Sequence, residues 1–142
     1  MSDSTPTPVP VYLVSACLVG LCCRYDGATK PSTACRDFLK NSISIPVCPE
    51  QLGGLPTPRP AADIHGGDGR DVLRGKAEVR TREGHDVTAS FIKGARQFLK
   101  VAQMQEVSGV CLKARSPSCA VSGKVGVTAA LLADHGYRLH EF

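Results

Sequence analysis

The chain of 142 residues has no tryptophan, three tyrosines and four phenylalanines. So few flat side chains argue against a platform on which nucleobases of a polymer stack. The formal net charge is +4, yet Lys and Arg are scattered and never form a run of five. That balance suits a small anionic ligand such as a phosphate better than a nucleic-acid polymer. There is no Cys-x-x-Cys, which leaves neither a zinc ribbon nor a thioredoxin-like pair indicated. Walker and Gly-x-Gly-x-x-Gly patterns are also missing. His65, His85, His135 and His140 show no mutual ligand spacing. The first residues, Met1 to Pro8, lack the charged and apolar regions of a signal peptide. The longest mostly apolar stretch, Val9 to Cys23, is broken by Pro10, Ser15 and Gly20. It falls short of the about 20 residues a bilayer span needs, so no membrane association is expected.

Cysteine is the residue present in excess. Seven is an odd number for a disulfide scaffold, and Cys22 and Cys23 are neighbours. The expectation is a cytoplasmic protein with reduced thiols.

The length suits one domain with a real core, and 42% apolar with 21% charged residues is ordinary for a globular chain. Residues 1–10 carry three prolines and small polar side chains, and are expected to be a disordered tail before a domain over 11–142. Val11–Ala16 reads as a buried strand, followed by a loop to Lys30. Ser32 or Thr33 caps a helix to about Asn41. Ile43–Val47 is a second strand, and Pro46 puts it at a sheet edge. Pro49 to about Asp71, rich in Pro and Gly, is expected to be irregular. Asp71–Leu73 and Lys76–Thr81 are expected to pair as a small hairpin. A helix with an apolar stripe follows from Ala89 to about Gln105. Val110–Leu112 is a strand, Val125–His135 a helix ended by Gly136, and Tyr137–Glu141 a last strand. Alternation of this kind predicts an α/β fold: a Rossmann-like, mostly parallel sheet with helices on both faces and a small β-hairpin insertion.

Three cysteines stand where a strand meets a loop that bears Gly or Pro. Cys17 ends the first strand, Cys48 the second, and Cys119 follows the third after a short loop. In open parallel sheets, ligands bind beyond the carboxyl ends of the strands, so these thiols and Lys113 share one edge. Widely spaced cysteines converging on one point can hold an iron–sulfur cluster. Cys23 is a further candidate, because Arg24 beside it would lower a thiol pKa. Cys35, on a helix face, and Cys111, inside a strand, read as small buried hydrophobes. Glu50, two residues after Cys48, is either a general acid or base or a carboxylate stabilised by a helix N-terminus. Lys113, Arg115, Ser116 and Ser118 crowd the loop after the third strand; it is a phosphate-holding loop or a solvated turn.

With these residues in view, the chain resembles the thiouracil desulfidase (TudS-like) family. The resemblance is carried by Val14-Ser15-Ala16-Cys17-Leu18, Cys23-Arg24-Tyr25-Asp26-Gly27, Pro46-Val47-Cys48-Pro49-Glu50 and Gly53-Gly54-Leu55-Pro56-Thr57-Pro58-Arg59. It continues through Leu112-Lys113, Ser116-Pro117-Ser118-Cys119 and Gly126-Val127-Thr128-Ala129-Ala130-Leu131-Leu132. The resemblance implies a 4Fe–4S cluster held by three cysteines with one iron open. It also implies replacement of sulfur by water in 2- or 4-thiouracil or thiouridine monophosphate, without electron exchange. Carried over, the ligands are Cys17, Cys48 and Cys119, with Cys23 as the alternative. Glu50 becomes the acid/base and Ser116 a positioner of substrate or water. Arg24, Arg59, Lys113 and Ser118 become candidate substrate contacts. Ala120 stands where the family usually has glycine, Asp63 where glutamate is common, and the connection from Cys119 to Gly126 is shorter than usual. The rival expectation is a non-catalytic, cysteine-ligated zinc or iron–sulfur module, which Cys23 as a fourth ligand would favour.

Overall fold

The computed structural model describes residues 8–142. The expected tail thus lies mostly outside the described residues; within them, residues 8–10 are exposed and irregular. Four parallel strands form the main sheet in the order β2-β1-β5-β6: β1 (Val11–Ser15), β2 (Ile43–Val47), β5 (Gly109–Leu112) and β6 (Leu139–Glu141). β2 is an edge strand, and Pro46 sits in it opposite Val14. An edge tolerates the amide that proline lacks.

β5 is buried throughout and β1 over its last three residues, as central strands of a parallel sheet with helical crossovers must be. Successive residues of a strand point to opposite faces. Leu13, Val110 and Leu112 pack with Phe98, Leu99 and Ala102 of α4 (Thr88–Gln103) and with Ala129 and Leu132 of α5 (Val127–Asp134). Val14 and Cys111 face the other way, onto Cys35 of α1 (Thr33–Phe38) and Leu39 at its end. Cys35 and Cys111 are therefore core residues, and burial pushes both thiols above their ordinary pKa. Ser32 caps α1 by accepting the Cys35 amide at 3.0 Å. Phe38, at the last position of α1, is 40% exposed and packs edge-on against Tyr12 of β1.

The insertion differs from the expected pairing. The hairpin joins β3 (Ala62–His65) to β4 (Glu78–Thr81), while Asp71–Leu73 belongs to α3 (Gly69–Leu73). A capping box decides this: Asp68 accepts the amides of Arg70 and Asp71, and Asp71 accepts that of Asp68. The stretch expected to be irregular also holds a helical turn, α2 (Pro49–Leu52), with proline at its first position.

Two close backbone approaches fix the parts that carry the cysteines. A Cβ on Gly94 of α4 would fall onto the Pro49 carbonyl oxygen, and one on Gly53 onto that of Ser90. Glycine at both points lets α2 lie directly on α4. Gly126 does the same for the loop before α5, where a Cβ would strike the Ser118 carbonyl group. No helix of the described residues is long and apolar enough to cross a membrane.

Candidate functional site

A cavity of about 350 Å³ opens beyond the carboxyl ends of β1, β2 and β5. Cys17, Cys23, Cys48 and Cys119 all line it. Each arrives by a different device. Cys17 lies in a 3-10 turn, Ala16–Val19, that continues β1, and its carbonyl accepts the Lys30 amide at 3.1 Å. Cys48 is the residue before α2, held where β2 ends. Cys23 sits in the loop between, buried, with its carbonyl oxygen 3.8 Å from the Cys48 sulfur.

Cys119 is presented by a loop that doubles as a helix cap. The Ser116 hydroxyl accepts the amides of Ser118 and Cys119, each at 3.1 Å. The carbonyls of Pro117 and Ser118 accept the amides of Val127, Thr128 and Ala129 in the first turn of α5. Those amides would otherwise lack partners. A hydroxyl has two lone pairs and one hydrogen. Ser116 has thus committed its lone pairs to the loop, and its O–H remains to be given inside the cavity that it lines.

The thiols differ in charge preference. Cys48 is held down to about 6, chiefly by hydrogen bonding from Cys23 and further by the Gln51 amide and Arg59, against burial and Glu50. Cys17 is lowered for the same first reason, with burial and Cys48 opposing and Lys113 and Arg24 assisting. Cys23, within hydrogen-bonding reach of both, is raised and keeps its proton. Cys119 is pushed up to about 12 by burial, which the Ser15 hydroxyl only partly offsets. All seven cysteines are free thiols. All four thiols line the cavity, and among the described residues no three His, Cys, Asp or Glu side chains are grouped so as to hold a single metal ion.

Glu50, in the first turn of α2, forms part of the cavity wall. Both of its oxygens are engaged: Oε1 accepts from Arg59 Nε at 3.0 Å and Oε2 from the Ser118 hydroxyl at 3.0 Å. Arg59 also donates to the Pro56 and Cys23 carbonyls and to the Thr57 hydroxyl. These are four hydrogen bonds from a guanidinium with five N–H donors. Its backbone amide reaches the Tyr25 carbonyl at 2.7 Å. Arg59 therefore ties the Cys23 loop to Glu50, and most of its hydrogens are already committed within the protein.

The remaining cations lie round the thiols. Arg24 is half-buried, 3.9 Å from Asp26. Lys113 is partly buried, with its ammonium donating to the Ala114 carbonyl at 2.8 Å. Burial lowers its pKa, as do Arg24, Lys30 and Arg115, against the pull of Cys17. Lys30 also lines the cavity and had no signal in the sequence, since it ends a loop thirteen residues from Cys17. Ser15 was equally silent, being an ordinary polar residue at a strand end. Cys22 is exposed and does not line the cavity.

An open parallel α/β domain with a cysteine-lined, cation-rimmed site at its strand ends is the class that fold and site define. The family model described as 2-thiouracil desulfurase matches residues 12–141. The chain belongs to that family. It is 44% identical over 141 residues to the uncharacterized protein YbbK of Bacillus subtilis (strain 168), covering 91% of this chain and 93% of that one. Among solved structures it is similar to the 4Fe–4S-dependent thiouracil desulfidase TudS, with a TM-score of 0.77 and 35% identity over 93% of this chain and 90% of that one.

Proposed function

We propose that the protein converts thiolated pyrimidines, 2- or 4-thiouracil or 4-thiouridine monophosphate, into the oxygen compounds, with a 4Fe–4S cluster held by Cys17, Cys48 and Cys119. The donor set fits the group. Four cysteine sulfurs line one cavity at the strand ends, the soft thiolate donor set by which iron–sulfur clusters are held. The name of the structural neighbour supports the same cofactor. When bound, the cluster supplies a soft Lewis-acid iron matched to a thiocarbonyl sulfur.

The chain's own residues supply the rest. Water and a thiocarbonyl give a carbonyl and hydrogen sulfide, and the carbon changes neither oxidation state nor electron count. The attacking water must lose a proton and the departing sulfur must gain one. Glu50 performs both transfers at its Oε2, the oxygen shared with Ser118. An ionised carboxylate has about four acceptor sites. With one taken on each oxygen, Glu50 still has room for water while Arg59 fixes its plane. The Ser116 O–H orients substrate or water. Ser118 acts on substrate through Glu50. Arg24 and Lys113, with Lys30 and Arg115 beside them, attract the anionic end of a nucleotide.

The observation that carries this reading is a fixed carboxylate in the wall of a four-thiol cavity. Replacing Cys17, Cys48, Cys119 and Cys23 by serine, one at a time, tests it through iron content and sulfide release from 4-thiouracil. The first three changes remove both. Cys23→Ser keeps the iron, since the family resemblance assigns the three ligand positions to Cys17, Cys48 and Cys119. Loss of iron in all four variants would instead favour the closed, four-cysteine module without catalysis.

A further inference from the structure

Among the described residues that line the cavity, Tyr25 is the one aromatic side chain. It is 39% exposed and belongs to none of the three apolar core clusters. Its backbone, by contrast, is held on every side. The Gly27 amide closes a turn onto the Arg24 carbonyl at 2.9 Å, and the Arg24 amide reaches the Ala28 carbonyl at 3.3 Å. The Asp26 carboxylate accepts the Ala28 amide at 2.9 Å, and the Tyr25 carbonyl accepts the Arg59 amide at 2.7 Å. Gly27, with φ of 77°, takes the left-handed conformation that ends this turn. The Arg24 guanidinium carbon lies over the ring, 5.6 Å from its centroid. A firmly tied loop thus presents at the cavity an aromatic ring that the packing of the fold does not use.

We propose that Tyr25 is the stacking surface for the pyrimidine ring of the substrate. The inference deepens the reading of the cavity as a thiopyrimidine site and rests on it. A pyrimidine is flat: carboxylates, hydroxyls and cations serve its polar edges and a phosphate, while its π faces call for an aromatic plane. A row of aromatic side chains would suit a polymer; a single ring suits one base. Tyrosine also gives up little conformational freedom on binding, having two rotatable χ angles. A ring has two faces, so Arg24 over one leaves the other for the base, and its charge stays beside the nucleotide end. Tyr25 touches the substrate and takes no part in the proton transfers.

The test compares wild type, Tyr25→Phe and Tyr25→Leu after anaerobic reconstitution with iron and sulfide. Dissociation constants for uracil and uridine monophosphate are measured by calorimetry, and kinetics on 4-thiouridine monophosphate beside them. Neither uracil nor its nucleotide carries the sulfur, so their binding reports the pocket alone. Tyr25→Leu is expected to weaken both roughly tenfold, within the range for loss of one aromatic–base stack. KM rises by a similar factor, while kcat and iron content stay near wild type. Tyr25→Phe keeps the ring and binds both as wild type does. Weakening of the nucleotide alone overturns the proposal, because Tyr25 then acts through Arg24 on the phosphate. Wild-type affinities in Tyr25→Leu overturn it while leaving the thiopyrimidine reading intact. A wild-type protein that binds neither ligand and releases no sulfide overturns both. Should Tyr25→Leu fail to fold, Tyr25→Trp decides, since the chain has no tryptophan of its own. Its indole emission is expected to change on saturation with uridine monophosphate, and an unchanged emission overturns the proposal.

Discussion

Arg59 and Glu50 form a pair that is almost withdrawn from solvent: Nε lies 3.0 Å from Oε1, and the side chains are 5% and 15% exposed. The guanidinium is also bound to the Cys23 and Pro56 carbonyls. Such a pair orients a carboxylate more than it stabilises a fold, since desolvation consumes much of the attraction. Arg59 is therefore a clamp on Glu50, while Lys113 and Arg24 are better placed to meet a phosphate. Arg59→Lys keeps the charge and loses the fork. We expect kcat to fall about 10- to 100-fold with KM for a thiopyrimidine nucleotide nearly unchanged. A rise in KM alone, measured in steady-state kinetics, would make Arg59 a substrate contact.

Glu50→Gln preserves the shape of the side chain and removes the proton acceptor. Turnover should drop about 10²- to 10⁴-fold, the range for loss of a general acid or base. The visible spectrum and iron content should remain those of wild type, because no ligand is touched. Full activity in this variant would remove Glu50 from the chemistry.

Much of this site was legible in the chain because strands end at cysteines. The apolar runs before Cys17, Cys48 and Cys119 specify a parallel sheet, and parallel sheets gather their carboxyl ends. Pro46 marked its strand as an edge, where the structure has it. The pairing of the hairpin was not legible. β3 is only four residues, Ala62–His65, with one fully buried side chain, so its period-two signal is weak. The capping box that turns Asp71–Leu73 helical uses two aspartates where Glu or Gln is the usual sign. Arg59 was visible as a cation near Glu50 in sequence, but its bonds to Cys23 and Tyr25 are tertiary and leave no local pattern. Ser15 is hidden for the same reason, since its partner Lys113 lies 98 residues away.

The contact of α2 with α4 predicts a lesion remote from the chemistry. Gly94→Ala drives a methyl group into the Pro49 carbonyl, next to Cys48 and Glu50. Overpacking of this kind costs about 1–3 kcal/mol. Urea titration should show that loss, and iron retention should fall with it, because α2 must shift. Gly27→Ala, at an exposed turn with positive φ and no close neighbour, should cost less and leave the iron content unchanged.

Glu141 ties the last strand to the loop after Cys119. Its carboxylate accepts the amides of Val121 and Ser122, at 2.7 and 3.0 Å, and the Ser122 hydroxyl. Burial pushes its pKa up, and these donors more than offset it, so the folded value lies below the ordinary 4.5. A depressed carboxylate stabilises the fold above its unfolded pKa, and the contribution is lost as pH falls through the folded value. Glu141→Gln should therefore be less stable than wild type at pH 7, by about 1 kcal/mol after solvent screening. The gap should begin to narrow as pH drops below 4.5. Thermal melts across that range check the sign; a gap that widens on acidification would contradict it.

The central claim is that an iron–sulfur cluster in this cavity removes sulfur from a thiopyrimidine. The direct measurement is iron, acid-labile sulfide and zinc on anaerobically purified protein, followed by 4-thiouracil or its nucleotide with sulfide and uracil product quantified together. The account predicts about four irons per chain, as a cubane requires, and sulfide released in equal amount with the oxygenated pyrimidine. A colourless protein with tightly bound zinc that resists iron reconstitution would contradict it, as would a full cluster that releases no sulfide from either substrate.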